Sequence, residues 1–589
     1  MAVDPFAGDA QIASPRAAVT RSPGLLHDLA RALYVRLAET GDPATLDDCI
    51  AVARRAPADD PRAWATFALL AAALRDRFRR RGDPADLDDA LAAARAALDA
   101  LPAAAAPPVR TMCLLNLGDA ARARFMLRGE RADIDAAIAA ARSAQAASPD
   151  DPTAPASLGT ALSVRFERLG DPADLDAAVE ALRRAAAGAG HPGRMEILGN
   201  LSNALHLRYL LRGELADLDD AIEAARATAA IAVTPAGSPD AAVDALTALT
   251  IALRTRFERL GERRDIDGAV AAARMAVDAL PAGHTAAAGS WSNLSSALNT
   301  RFAQLHDDAD LDAAVDAGRA AAAALPAGAP EAGGILSNLA ATLSLRFDRS
   351  AAAADLDEAA RAGRAALGAT PPGETDRPNR LGNLGIVLAK RAEVHGTPAG
   401  FDEALAVLEE AVTATSAAGA DDGQLRLNLA LARLRRFRVS GDPADRAGAV
   451  ADMEATTASP RAPASVRLQA ARWWAVEEAE RADWPRAAAA YTSAVGALPQ
   501  LAWWGLGRRS QERRLEATAG LAGDATAAAL AAGRAADAVG LAEAGRAVLW
   551  SQLIERQVPQ LAALREVAPA WAARLGEIRA ELDEPGLGD

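Results

Sequence analysis

Apolar positions along the chain recur with a helical period. In SLGTALSVRFERL (157–169), Leu158, Leu162, Phe166 and Leu169 fall at i, i+4, i+8 and i+11, one stripe along one helix. Gly170 follows as a left-handed C-cap. Asp171 and Pro172 then open a second helix as N-cap and first residue, with Asp174 in a capping-box-like place. The second helix runs to a Pro-containing loop such as Leu280-Pro281 or Leu325-Pro326. No segment alternates with the two-residue period of a strand, so the expected fold is all-α.

This helix pair, A then B, repeats. The phrase GDPATLDDCI (41–50) returns as GDPADLDDAL (82–91), GERADIDAAI (129–138), GDPADLDAAV (170–179), GELADLDDAI (213–222) and GERRDIDGAV (261–270), with weaker copies around Leu311, Leu356, Phe401 and Arg446. The central apolar anchor advances by 41, 47, 41, 43, 48, 45, 45, 45 and 45 residues, the period of a solenoid. Ten repeats carry Leu at one helix-A position (Leu29, Leu70, Leu117, Leu158, Leu201, Leu249, Leu294, Leu339, Leu384, Leu429), and the next residue is always small. Helix B carries an Ala column from Ala90 to Ala449, with Cys49 in its place in the first repeat. Small residues at both points allow close helix approach, so Cys49 reads as a buried alanine substitute rather than a nucleophile.

Leu-small in helix A, Ala in helix B, a second Ala seven residues on (Ala97, Ala144, Ala185, Ala276) and Pro at the end resemble the tetratricopeptide (TPR) family. The resemblance implies a right-handed α-solenoid. The departure is length, since the TPR period is 34 residues. The small helix-A position and the Ala column stand 19 residues apart here, as from Gly118 to Ala137, against about 12 in the family; the excess is close to two helical turns, which keeps the inward faces in phase. Past residue 460 one unit returns to ordinary TPR spacing (Trp474-Ala475, Ala487, Tyr491, Ala494, Pro499) in a stretch that holds seven of the nine tryptophans. The expected organisation is a flexible segment over 1–24, about ten extended repeats over 25–460, Trp-rich TPR units over 461–546, and C-terminal helices and tail over 547–589.

Composition narrows the function. The 589 residues carry a formal charge of −14, which disfavours general binding to nucleic acid or anionic membrane. Two cysteines in different segments, without CxxC or a neighbouring His, support neither a disulfide framework nor a zinc site. Met1–Pro23 lacks the apolar core of a signal peptide, and no run of 18 strongly apolar residues occurs, so the expected place is the cytoplasm. The six histidines are scattered, and no HExxH, Walker or dinucleotide glycine motif is present. Neither an enzyme activity, a metal nor a cofactor is expected.

Two polar columns remain. The residue before the helix-A Leu is Asn in six repeats: Asn116, Asn200, Asn293, Asn338, Asn383 and Asn428. This position resembles that from which peptide-binding TPR proteins hold a ligand's backbone. A carboxamide both donates and accepts, so stacked copies grip an extended peptide independently of its sequence; alternatively, each Asn bonds the backbone of a neighbouring helix. The last four, in successive repeats, are the strongest stretch. The second column, Arg36, Arg77, Arg124, Arg165, Arg208, Arg256, Arg301, Arg346, Arg391 and Arg436, stands ten residues before the helix-B anchor. Every one of these repeats keeps an Asp nine or eleven residues later, so an Arg–Asp bridge within each repeat is expected, worth about 0–1 kcal/mol per exposed pair, in preference to an anion or RNA ladder. A further helix-B Arg column (Arg54, Arg95, Arg142, Arg183, Arg226, Arg274, Arg319, Arg364) reads as a solvated face.

The GDPADLDAAV and RFERLGD units, the Trp-rich unit and GRAVLWSQL (545–553) together resemble the TPR region of actinobacterial proteins that continue into a CHAT domain, a caspase-like peptidase fold. That family's His-Gly and Ala-Cys motifs have no counterpart, so the chain is expected to be either a stand-alone relative or a truncated sensor half. The expected function is a protein-protein interaction scaffold holding a peptide or protein segment in the concave groove. The alternative is regulation of a CHAT peptidase in cis or in trans, with Trp473, Trp474, Trp484, Trp503 and Trp504 closing the solenoid's end or forming a partner face.

Overall fold

The computed structural model describes residues 25–40, 42–188, 193–233, 239–281, 283–502, 508–546, 548 and 568–574. Among them every regular element is helical. Ten A/B pairs follow one another, with odd numbers for A: α1 (Leu25–Thr40) and α2 (Pro43–Ala53), α3 (Ala63–Arg81) and α4 (Pro84–Asp99), α5 (Pro107–Arg128) and α6 (Arg131–Ala147), α7 (Thr153–Leu169) and α8 (Pro172–Ala186), α9 (Arg194–Arg212) and α10 (Leu215–Ala232), α11 (Pro239–Leu260) and α12 (Arg263–Asp278), α13 (Ala287–Leu305) and α14 (Asp308–Ala323), α15 (Ala332–Ser350) and α16 (Ala353–Gly368), α17 (Arg377–His395) and α18 (Phe401–Ala417), α19 (Gly423–Ser440) and α20 (Pro443–Ala458). The Trp-rich repeat supplies α21 (Ala464–Glu480) and α22 (Trp484–Leu501), followed by α23 (Arg508–Glu516), α24 (Leu521–Ala531) and α25 (Ala535–Arg546). The chain divides into two compact units, 1–252 and 253–589. In each, the A helices other than α11, which spans the boundary, pack on their own B helix, and, where a B helix precedes them in the unit, on that one too, as in an α-solenoid. No helix among the described residues is long and apolar enough to cross a membrane. The expected segments 1–24 and, apart from residues 548 and 568–574, 547–589 lie outside the described residues.

The columns pack as their sizes require. Ser202 Oγ donates to Ala221 O at 2.9 Å and Ser295 Oγ to Ala314 O at 2.8 Å, joining the small helix-A position to the Ala column 19 residues on. In the first repeat the roles reverse: Cys49 Sγ, fully buried, donates to Ala30 O at 3.3 Å. Burial pushes its thiol up to about 12, so Cys49 is packing, not a nucleophile. At Gly159 a Cβ would stand 2.5 Å from Leu182 Cγ, so the residue is small by necessity. The helix-A stripe is shorter than expected: Leu158 and Leu162 are buried, Phe166 is half-buried, and Leu169 is exposed because it lies in the last turn before the Gly170 cap.

The Arg column is half correct as expected and half not. In eight repeats Nε of the helix-A Arg lies 2.7–3.0 Å from a carboxylate oxygen of the Asp nine residues on: Arg77 with Asp86, Arg124 with Asp133, Arg165 with Asp174, Arg208 with Asp217, Arg256 with Asp265, Arg301 with Asp310, Arg346 with Asp355 and Arg436 with Asp445. These aspartates are all buried, so the pairs are not the surface bridges the spacing suggested. The Asp eleven residues on serves the next repeat instead. Arg165 Nη1 donates to Asp135 at 2.7 Å, Arg301 to Asp267 at 3.2 Å and Arg436 to Asp402 at 3.3 Å, each acceptor lying on the preceding B helix. One guanidinium therefore ties three helices, its planar fork filling one carboxylate and its remaining nitrogen reaching a second. This also corrects the capping box: Asp171 accepts from the Ala173 N–H at 3.0 Å, but the Asp174 carboxylate is taken by Arg165.

The helix-B Arg column is exposed, as expected, yet four of its eight members are paired. Arg319 Nε donates to Glu358 at 2.9 Å and Arg364 Nε to Glu403 at 2.8 Å, and Arg54 and Arg183 reach Asp89 and Asp220, in each case on the next B helix. At the joint to the Trp-rich repeat, the helix-B anchor is Arg446 because its partner is buried Glu477 of α21, 3.1 Å from Nε. Ala475, Ala487, Tyr491 and Ala494 are buried in the TPR manner, whereas Pro499 sits inside the last turn of α22 rather than after it.

Candidate functional site

Neighbouring A helices touch while neighbouring B helices are held apart, which puts the A face on the inner side of each unit. Residues five before, two before, one before and two after the helix-A Leu project there, because these offsets lie on the side of the helix away from its buried Leu-small pair, and the residue five after lies at the edge of that side. In the first unit this face holds a run of cavities. One of about 490 Å³ lies among Met195, Glu196, Gly199, Asn200 and Asn203 of α9, Ala225 and Thr228 of α10, and Ala241, Asp244, Ala245, Thr247, Ala248 and Ile251 of α11. A second, about 200 Å³, lies among α5, α7 and α9, with Asp119 and Arg122 of α5 in its lining, and shares Glu196 and Asn200 with the first. A third, about 570 Å³, is lined by Arg75, Asp76, Arg79, Asp119, Arg122, Met126 and Leu127, and again by Glu196. Glu196 is common to all three.

Most polar groups on this face are already paired across the A helices. Arg75 bonds Asp119 at 2.7 Å and Arg122 approaches the same carboxylate at 3.3 Å. The Tyr34 hydroxyl donates to Asp76 at 2.8 Å, and burial with that carboxylate pushes it up to about 12. In the second unit Lys390 Nζ donates to Ser344 at 3.0 Å and to Asp348 at 2.8 Å, Asn299 Nδ2 donates to Thr342 Oγ1 at 2.7 Å, and Arg435 reaches Glu393.

The six asparagines share the face but not one environment. Asn200 Nδ2 donates to Thr160 Oγ1 at 3.0 Å and Asn383 Nδ2 to Ser337 Oγ at 3.1 Å, each on the preceding A helix; Asn428 Oδ1 accepts from Gln424 at 3.0 Å. Asn338 and Asn383 are exposed, and Asn116, Asn200, Asn293 and Asn428 are half-buried. With its nitrogen held by Thr160, Asn200 keeps its carbonyl oxygen for another donor, and it lies where the 490 and 200 Å³ cavities meet. Of the six asparagines it is Asn200 that lines these cavities, and none of the last four does.

Recurrence in the sequence did not single out Glu196, Asp244, Asn203, Asp119, Arg75 and Arg122. They occupy fixed offsets from the helix-A Leu, −5, −5, +2, +2, +5 and +5, but their identities change from repeat to repeat. The signal was variation at a constant offset. Of the tryptophans, Trp473 is exposed, Trp474 and Trp484 are half-buried, and Trp503 and Trp504 lie outside the described residues. Trp474 packs on the cores of both the last extended repeat and the Trp-rich repeat, while Trp571 is 74% exposed. Cys113 is buried and its thiol raised by that burial, and no group of three or more His, Cys, Asp or Glu among the described residues is arranged to hold a metal.

No protein-family model matches this chain, and no curated protein does. Among solved structures it is similar to a human IFIT1 dimer with m7Gppp-AAAA (12% identity, TM-score 0.37, covering 88% of this chain and 96% of the other). A human IFIT1 dimer with PPP-AAAA (13%, 0.33, 77% and 96%) and BtubC from P. vanneervenii (18%, 0.30, 42% and 91%) are similar at the same distant level.

Proposed function

We propose that the chain is a non-enzymatic cytoplasmic scaffold that binds an extended polypeptide along the A-helix face of its first unit. The observation that carries this reading is the run of cavities from Arg75 to Ile251, joined at Glu196, with apolar side chains and the Asn200 and Asn203 carboxamides at the 490 Å³ cavity and paired Arg and Asp side chains at the 570 Å³ one. Extended peptides present N–H and C=O groups at every residue, which carboxamides such as Asn200 and Asn203 meet without regard to sequence. At about 1 kcal/mol net per hydrogen bond, about four to six contacts with some apolar burial correspond to micromolar binding. The charge of −14 and the Glu196 and Asp244 carboxylates disfavour phosphate, and hence nucleic acid, as the ligand, the arginines Arg75, Arg79 and Arg122 of this face being paired with Asp119 and Asp76.

The test is selection of twelve-residue peptides from a displayed library on the whole chain. Selected peptides are expected to bind the Asn200→Ala/Asn203→Ala variant about tenfold or more weakly, with unchanged helical circular dichroism. Unchanged affinity, or no selected peptide, defeats the reading. A second reading keeps the Trp-rich end as a face for a caspase-like peptidase. What favours it is exposed Trp473 and Trp571, since large exposed rings mark contact surfaces.

A further inference from the structure

The 490 Å³ cavity is chemically one-sided. Its floor is apolar, with Met195, Ala248 and Ile251, and its charged lining is Glu196 and Asp244 alone. These carboxylates come from different helices, α9 and α11, yet both stand five residues before the helix-A Leu of their repeat, so successive repeats present them to the same space. No basic residue lines the cavity, in contrast to the 570 Å³ cavity, where Arg75 and Arg122 already satisfy Asp119. Among the described residues neither Glu196 nor Asp244 takes part in an ion pair of the kind that fills the rest of this face. Burial and the nearby Asp240 raise the Asp244 carboxyl, which agrees with the absence of a cation beside it.

Resting on the groove reading above, we propose that this cavity receives a lysine or arginine side chain of the bound polypeptide. The aliphatic stem lies on the apolar floor and the cation sits between Glu196 and Asp244, with the Asn203 carboxamide as a further acceptor. A long basic side chain is the residue type that is apolar along its stem and charged at its tip. A volume of about 490 Å³ falls within the range of sites that enclose a small ligand rather than touch it. The cavity therefore sets one specific position within otherwise sequence-tolerant binding.

The test uses peptides selected on the whole chain. They are expected to share one Lys or Arg, and changing that residue to norleucine or citrulline is expected to weaken binding about tenfold to the wild-type chain but by less than about twofold to Glu196→Gln/Asp244→Asn, whose isosteric amides preserve the fold. The tenfold loss is expected to shrink in high salt. Selected peptides without a common basic residue, or an equal loss on both chains, would overturn the proposal while leaving groove binding in place. Failure to select any peptide would overturn both.

Discussion

Changing Asp174 to alanine tests whether the buried limb of the Arg ladder outweighs the exposed one. The side chains of Arg165, Asp174 and Asp135 are 19%, 8% and 45% exposed. Removing one partner of a fully buried pair costs about 3–5 kcal/mol, because the remaining charge is stranded. Arg165 is not fully stranded: it keeps Asp135 at 2.7 Å and some water, so the expected loss for Asp174→Ala is about 2–3 kcal/mol. Asp135→Ala removes a partner that water replaces, at about 0–1 kcal/mol. Solenoid stability is a sum over neighbours and one global midpoint is poorly defined, so the readout is amide hydrogen exchange, peptide by peptide. Protection in α7 and α8 is expected to fall by about 30- to 150-fold for Asp174→Ala, at 1.4 kcal/mol per tenfold, with α17 unchanged. The pair Arg165→Leu/Asp174→Leu is expected to recover most of the loss, since no charge is then left buried. Equal losses from Asp174→Ala and Asp135→Ala, or a loss spread as far as α17, would refute the division between buried and exposed limbs.

Two further outcomes follow from the caps and the columns. Ala351 holds the left-handed C-cap place of α15 at φ 54, where Gly170 and Gly441 stand in other repeats, so Ala351→Gly is expected to stabilise α15 by about 1 kcal/mol, read as slower exchange in its last turn. Slower exchange in Gly170→Ala as well would contradict the argument. Both thiols are expected to resist an aromatic disulfide reagent at pH 8 in the native chain and to react fully in denaturant, because Cys49 and Cys113 are buried and ionise well above that pH. Rapid native labelling of Cys49 would show that the first repeat opens.

Much of the fold was legible because the repeat states each packing decision ten times. The Leu-small pair, the Ala column and the Gly-Asp-Pro junction each carry one physical requirement, and repetition separates requirement from accident. The Arg column shows the limit of that reading. Sequence spacing shows that Asp174 and Asp176 both follow Arg165, but whether a carboxylate faces its own A helix or the next one depends on where the neighbouring repeat sits. Asp174 turns inward to Arg165 and Asp176 outward to Arg208 and Arg212. The Asn column met the same limit, since Asn200 and Asn383 are partly satisfied by hydroxyls supplied from the preceding A helix. Glu196 and Asp244 were invisible for the opposite reason: a site that recognises one ligand side chain needs residues that do not recur.

Glycine two places before the helix-A Leu shows how one repeat chemistry gives either a closed seam or an open cavity. At Gly382 a Cβ would meet Leu425 Cδ2 at 2.6 Å, so α17 and α19 are pressed together where the glycine leaves room. Gly199 occupies the same offset in α9, yet the nearest atom to its missing Cβ is Thr228 Cγ2 at 3.8 Å, and the space beside it is the 490 Å³ cavity. The repeats around α7 and α9 advance by 41, 43 and 48 residues where those from α11 onward keep to 45. A constant period lets each A helix settle against the last in one register. Changing loop lengths shift that register, so the small residues that elsewhere permit contact here border empty space. On this account the cavity arises from irregular spacing beside the glycine at 199, and the acids at its edge mark where the array departs from its own rule.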